Sequence, residues 1–164
     1  LYTTGPYPLS YNGWGDVLVI VFFGFVPVGG TYYVQALTWT PDVTIASLLC
    51  GLLIDTLLVV NNYRDREAAA RSGKRTVIVR FGEKFGRYFY LMLGVTASLL
   101  CLCFLREGHF LAALLPQLYL IPHFLTWKRM VKIYSGKKLN SRLGETSRNM
   151  LFMGVLIAIG MLVS

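Results

Sequence analysis

Between positions 61 and 76 the chain reads NNYRDREAAARSGKRT, an amide pair followed by the carboxylate Asp65 and five cations, directly after a long apolar run. Asp65 is a hard oxygen ligand. Mg²⁺ held by one or two carboxylates completes its shell with water and with phosphate oxygens of a substrate. Arg64, Arg71, Lys74 and Arg75 can neutralise the rest of a diphosphate, arginine through bidentate hydrogen bonds and lysine as a point charge. Gly73 allows the backbone to come close. The residues therefore divide into Asp65 as metal ligand and catalytic group with Asn62 and Arg64 beside it, and Asn61, Arg71, Lys74 and Arg75 as the diphosphate grip. The chemistry they suit is capture of a magnesium-bound diphosphate at a bilayer surface, with the apolar tail of the same molecule left in lipid. A basic loop that only anchored the chain would need neither the amides nor a carboxylate embedded among arginines.

The elements that must position this cluster follow from composition. Of 164 residues 55% are hydrophobic and 15% charged, and mean hydropathy is +0.55, so the charges are crowded into a few places. A helix crosses about 30 Å of hydrocarbon with roughly 20 apolar residues. Runs at 17–40, 43–62, 88–105 and 109–127 are long enough, and a fifth at 150–164 is apolar but short. The expected fold is all-α, a polytopic transmembrane bundle of about five helices with connecting loops at 63–87 and 128–149. Pro27 with Gly29 and Gly30 is expected to interrupt the first span, and Pro116 and Pro122 the fourth. Tyr2, Pro6, Tyr7, Pro8 and Tyr11 mark residues 1–16 as an irregular loop. The chain opens at Leu1 without a methionine and its last run is short, which reads as a segment of a longer protein.

Charge sets the orientation. Fifteen of the sixteen Lys and Arg residues fall in the two long connections, and Arg106 alone lies in the short turn on the other side. The positive-inside rule makes the basic face, and with it the site, cytoplasmic on a multi-pass protein of the inner (plasma) membrane. The formal charge of +8 suits nucleic acid poorly, because the cations flank spans and do not cover a soluble domain. Cys50, Cys101 and Cys103 sit within apolar runs without CxxC spacing and read as packing residues. His109 and His123 have no partner at zinc-ligand spacing.

Asp55 is the one carboxylate inside the second run. At helical pitch it shares a face with Val59 and Asn62 and points along the line that ends in the polar cluster. It is either part of a functional site, as ionisable groups within spans usually are, or a protonated or hydrogen-bonded packing group.

NNYRD, SGKRT and the following Val77-Ile78-Val79-Arg80-Phe81-Gly82 resemble the second aspartate-rich region of the UbiA-type intramembrane prenyltransferases, on the branch that prenylates 1,4-dihydroxy-2-naphthoate. Gly15-Asp16-Val17, Phe22-Phe23-Gly24, Tyr33-Val34-Gln35-Ala36, Leu139-Asn140 and Thr146 agree with it, so the resemblance covers the whole chain. It implies the C-terminal part of a nine-helix fold whose two acidic motifs, one in each half, hold Mg²⁺ and a polyprenyl diphosphate while an aromatic acid is alkylated. One departure matters: the family pattern places a second aspartate one helical turn after the first, and here Ala69 stands there. Glu67 takes over only if the backbone is irregular. A 4-hydroxybenzoate prenyltransferase of ubiquinone synthesis is the neighbouring alternative, and it is disfavoured by Gly73-Lys74-Arg75-Thr76. A transporter or structural membrane subunit, with Asp55 on an ion path, is the alternative of a different class.

Overall fold

The computed structural model describes residues 13–133 and 136–163; the tyrosine- and proline-rich segment up to Tyr11 lies outside them. The described chain is helical and contains five helices long and apolar enough to cross a membrane: α1 (Gly15–Ala36), α2 (Pro41–Arg71), α3 (Val77–Glu107), α4 (Phe110–Lys132) and α5 (Asn140–Val163). Large apolar side chains cover their outer faces, Leu162, Leu151 and Ile121 among them. On a protein in water such a surface would be an aggregation hazard; against lipid tails it is the ordinary solvent contact.

α2 is the centre of the bundle. It starts sharply: Pro41 occupies the first turn, where its missing N–H costs nothing, and the Thr40 hydroxyl accepts from Val43 N at 3.3 Å. Val59, Val60 and Tyr63 are fully buried. The helix does not stop where the apolar run does. It continues to Arg71, so the segment expected as a loop at 63–87 is helical except for a five-residue turn, 72–76. Gly73 takes a left-handed φ of 75° there, and Thr76 caps α3 by accepting from Val79 N. Gly82, at φ 87° and ψ 174°, sets the short Val77–Phe81 turn apart from the rest of α3.

Two more expectations change. Pro27 and the following glycines do not break α1, because Ile20–Gly30 winds in wide π-type turns that make room for the proline ring. The fifth span is not short: α5 begins at Asn140, ten residues before its apolar part. Its polar first turns are helical because their side chains find partners on other helices, Thr146 with the Tyr90 hydroxyl at 3.1 Å and Asn149 Nδ2 donating to Thr126 Oγ1 at 3.0 Å. In α4, Leu115–Tyr119 tightens to 3₁₀ geometry around Pro116, as a proline there requires, whereas helix runs on through Pro122.

Helices in lipid gain little from burying apolar surface, so backbone approach and polar ties hold them together. A Cβ on Gly51 would stand 2.8 Å from Ile20 Cα, and one on Gly24 would stand 2.3 Å from the Ser47 carbonyl oxygen, so α1 and α2 touch through glycine. His123, fully buried, stacks between Tyr90 and Tyr119, accepts or donates through Nδ1 to the Tyr119 hydroxyl at 2.9 Å, and occupies the space a side chain at Gly94 would need. Gln117 bridges α4 to α3, with Ser98 Oγ donating to it at 2.8 Å and its amide donating to the Ser98 carbonyl. The substitution Gly51→Ala is expected to cost about 1–3 kcal/mol through overpacking, whereas Gly154→Ala, which meets nothing within 4 Å, is expected to be neutral. Thermal unfolding of both variants in one detergent checks this, and equal midpoints would contradict the close α1–α2 contact.

Candidate functional site

The last turns of α2 deliver the polar cluster as part of a rigid helix. Arg64 is its hub: Nε and Nη2 donate to the two oxygens of Asp65 at 2.7 and 2.6 Å, Nη2 also donates to Asn61 Oδ1 at 2.7 Å, and Nη1 donates to Asn140 Oδ1 at 3.0 Å. Neighbouring residues on a helix seldom face each other. The length of the arginine lets its fork fold back on Asp65 while bracing α2 against the start of α5. Lys74, in the turn, adds a second positive field at Asp65. Asp65 is half exposed, so its pair with Arg64 is open to exchange with an incoming ligand.

The predicted residues separate into two groups. Asn61, Arg64, Asp65 and Lys74 come together. Asn62 is half-buried beside them, and its side chain makes no hydrogen bond among the described residues. Arg71 and Arg75 are exposed and stand outside the hydrogen-bonded cluster. Asn140 belongs to the cluster too; it lies seventy-six positions after Arg64, so nothing local in the sequence places it there. Ala69 is buried one turn, about 6 Å, beyond Asp65. Glu67 is exposed on a helix that stays regular to Arg71, so it points away from Asp65 and does not replace the missing acid.

Arg66 has a different task. It is buried, lies with its guanidinium carbon 4.4 Å from the centre of the Tyr63 ring, donates to the Tyr63 carbonyl at 2.7 Å and reaches Glu83 Oε2 on α3 at 3.5 Å. Glu83 also pairs with Arg87, whose Nε donates to the Tyr63 hydroxyl at 2.9 Å, and the Arg87 carbonyl accepts from Trp127 Nε1 on α4 at 2.9 Å. This network locks α2, α3 and α4 together just behind the site. Its one sequence signal was the Glu83–Arg87 spacing of four.

A cleft of 530 Å³ opens next to the cluster, lined by Val19 and Phe23 of α1, Ile54, Leu57, Leu58 and Asn61 of α2, and Leu143, Gly144 and Ser147 of α5. A second cleft of 680 Å³ shares Ile54 and Ser147 with it and runs on past Leu53, Cys50 and Ala46 towards Phe104. Together they follow α2 for about 22 Å, the rise of the fifteen residues from Asn61 back to Ala46. Their walls are mostly apolar, with Asn61 at one end and Ser147 where the two clefts join.

For a divalent cation the cluster offers one carboxylate, Asp65, held by Arg64 and half exposed, with the amide oxygens of Asn61 and Asn62 close in sequence. No group of three or more His, Cys, Asp or Glu side chains is placed to hold a metal among the described residues. This set fits Mg²⁺ carried chiefly by water and diphosphate oxygens and tethered through a single acid; it does not form a closed protein cage.

The structure thus sets a polar cluster at the end of a helix bundle beside an apolar cleft, and comparison with known proteins gives the family. The UbiA prenyltransferase family model matches residues 1–163, and the chain belongs to that family. It is 33% identical over 166 residues to the 1,4-dihydroxy-2-naphthoate octaprenyltransferase of Haemophilus influenzae, covering 99% of this chain and 53% of that protein. It is 42% identical over 101 residues to the Escherichia coli protein of the same name, covering 62% of this chain and 32% of that one. UbiA prenyltransferase domain-containing protein 1 of Dictyostelium discoideum is 29% identical over 163 residues, covering 99% of this chain and 48% of that protein. The chain thus spans about half the length of these relatives. No solved structure gives a significant match.

Glu83→Gln removes the anion shared by Arg66 and Arg87 and is expected to lower stability by about 2 kcal/mol. Chemical or thermal unfolding in detergent measures the loss, and a wild-type midpoint would show that the network does not brace the bundle.

Proposed function

We propose that the complete protein transfers a polyprenyl group from polyprenyl diphosphate to 1,4-dihydroxy-2-naphthoate, with loss of CO₂ and diphosphate, giving demethylmenaquinone in its reduced, quinol form. The observation that carries this reading is that Asn61 both lines the apolar cleft and accepts from Arg64, so the anion-binding cluster stands at the mouth of a groove suited to an isoprenoid tail. The naphthoate names of the relatives support the choice of acceptor. Gly73-Lys74-Arg75-Thr76 supports it over 4-hydroxybenzoate. The basic ends of the helices support a site on the cytoplasmic face of the inner membrane by the positive-inside rule.

In this reading Asp65, with Asn61 and Asn62, holds Mg²⁺ through one acid and the substrate. The bound ion supplies Lewis-acid neutralisation of diphosphate charge. The chain's own residues do the rest. Arg64 exchanges part of its hold on Asp65 for diphosphate oxygens while Asn61 and Asn140 keep its fork in place. Lys74 adds charge from the turn, and Arg71 and Arg75, exposed at the rim, attract the anion before it docks. Together they favour departure of diphosphate from the allylic carbon, where the negative charge develops. The apolar walls of the cleft keep water from the electron-poor carbon until the electron-rich naphthoate ring attacks it, and the ring regains aromaticity as its carboxylate leaves as CO₂.

Turnover of the full-length protein with dihydroxynaphthoate and a polyprenyl diphosphate is expected to require Mg²⁺, and Asp65→Asn is expected to reduce it about 100-fold. An unaffected Asp65→Asn enzyme would remove the metal assignment. Ala69→Asp restores a second acid one turn away and is expected to lower the Mg²⁺ concentration at half-maximal rate. A raised requirement would mean that position 69 does not face the metal.

A further inference from the structure

Asp55 is fully buried in the middle of α2, and neither of its carboxylate oxygens has a hydrogen-bond partner among the described residues. The register of the α1–α2 contact shows what faces it. The helices are antiparallel and meet at Ile20 against Gly51 and, one turn further along, at Gly24 against Ser47. One turn in the other direction brings Asp16 of α1 opposite Asp55. Asp16 is buried as well, at 7% exposure, and lies within electrostatic reach of Asp55.

Among the described residues no ion pair answers either acid. The Arg80 guanidinium lies beside Gly13, just before α1, and forms no ion pair with Asp16 among the described residues. On α3, Glu83 and Arg87 are tied to each other and to Tyr63 and Arg66, and the Tyr90 hydroxyl is held by Thr146 of α5. Thr56, next to Asp55, donates its hydroxyl to the Leu53 carbonyl at 2.6 Å. Arg64, about two and a half turns nearer the basic end, is engaged by Asp65, Asn61 and Asn140. Two like charges opposed in a low-dielectric interior repel strongly unless a positive charge joins them.

We propose that Asp16 and Asp55 form a buried site for a single cation, a proton or an alkali metal ion, held between α1 and α2 within the membrane. The occupant joins the two helices that wall the cleft, Val19 and Phe23 on one side and Ile54, Leu57 and Leu58 on the other, so its binding stabilises the cleft's shape. The proposal does not depend on which substrate the cleft takes, and its test does not use turnover.

The test uses the full-length protein reconstituted in nanodiscs. Infrared difference spectra across a pH titration are expected to show one carboxylic-acid C=O band that shifts in D₂O and is absent from Asp55→Asn, which identifies the occupant as a proton. If the occupant is an alkali ion, that band is missing. In its place, exchanging choline for Na⁺ or K⁺ at constant ionic strength raises the wild-type unfolding midpoint by a few degrees, and Asp55→Asn abolishes the rise. Asp16→Asn gives the same losses should Asp55→Asn fail to fold. A wild-type protein with neither an acid band nor an alkali-dependent midpoint, or variants that retain the wild-type response, would overturn the site.

Discussion

One helix has to cross the hydrocarbon layer and still be a helix when it emerges. α2 spends its first two-thirds among apolar partners and its last turns carrying Asn61, Arg64 and Asp65, with no break between the two regimes. Backbone groups in lipid have no water to turn to, so a helix is the one local solution that satisfies them. Continuing that helix past the interface costs nothing further and gives the polar residues a fixed spacing. The positions of Asn61, Asn62, Arg64 and Asp65 are therefore tied to the axis of α2 and not to a flexible connection.

The bundle keeps that axis in place with polar ties in its interior more than with apolar burial. Tyr63, Arg66, Glu83, Arg87 and Trp127 join three helices at the level just behind the cluster. His123 between two tyrosines and Gln117 against Ser98 do the same at greater depth. Each of these groups would be costly if left unpaired in hydrocarbon. Each therefore narrows the ways in which the helices can pack. Asp55 stands apart from this pattern, which is why its surroundings carry more information than its mere presence in a span.

Much of this was legible in the sequence because it rests on local rules. Five apolar runs, the thickness of the hydrocarbon layer and the crowding of cations give the number of helices. Thr40-Pro41 marks the start of α2, and the spacing of Asn61, Arg64 and Asp65 within little more than one turn is enough to bring them together. What stayed hidden depends on partners distant in the chain. The polar turns of α5 before Met150 look like a loop until Thr146 meets Tyr90 and Asn149 meets Thr126. Arg66 looks like one more interfacial cation, yet the 100° between successive residues of a helix turns it from the Asp65 side towards Glu83. Pro27 looks like a break, but wide turns in α1 absorb it.

Arg64 holds Asn61 and Asp65 on α2 with one part of its guanidinium and Asn140 on α5 with another, so the relative tilt of two spans is written into the geometry of its hydrogen bonds. Tilt is also the means by which transmembrane helices adapt to a bilayer thinner or thicker than their apolar belt. The mechanical state of the surrounding lipid is thereby coupled to the charged cluster through two rigid levers and a single side chain.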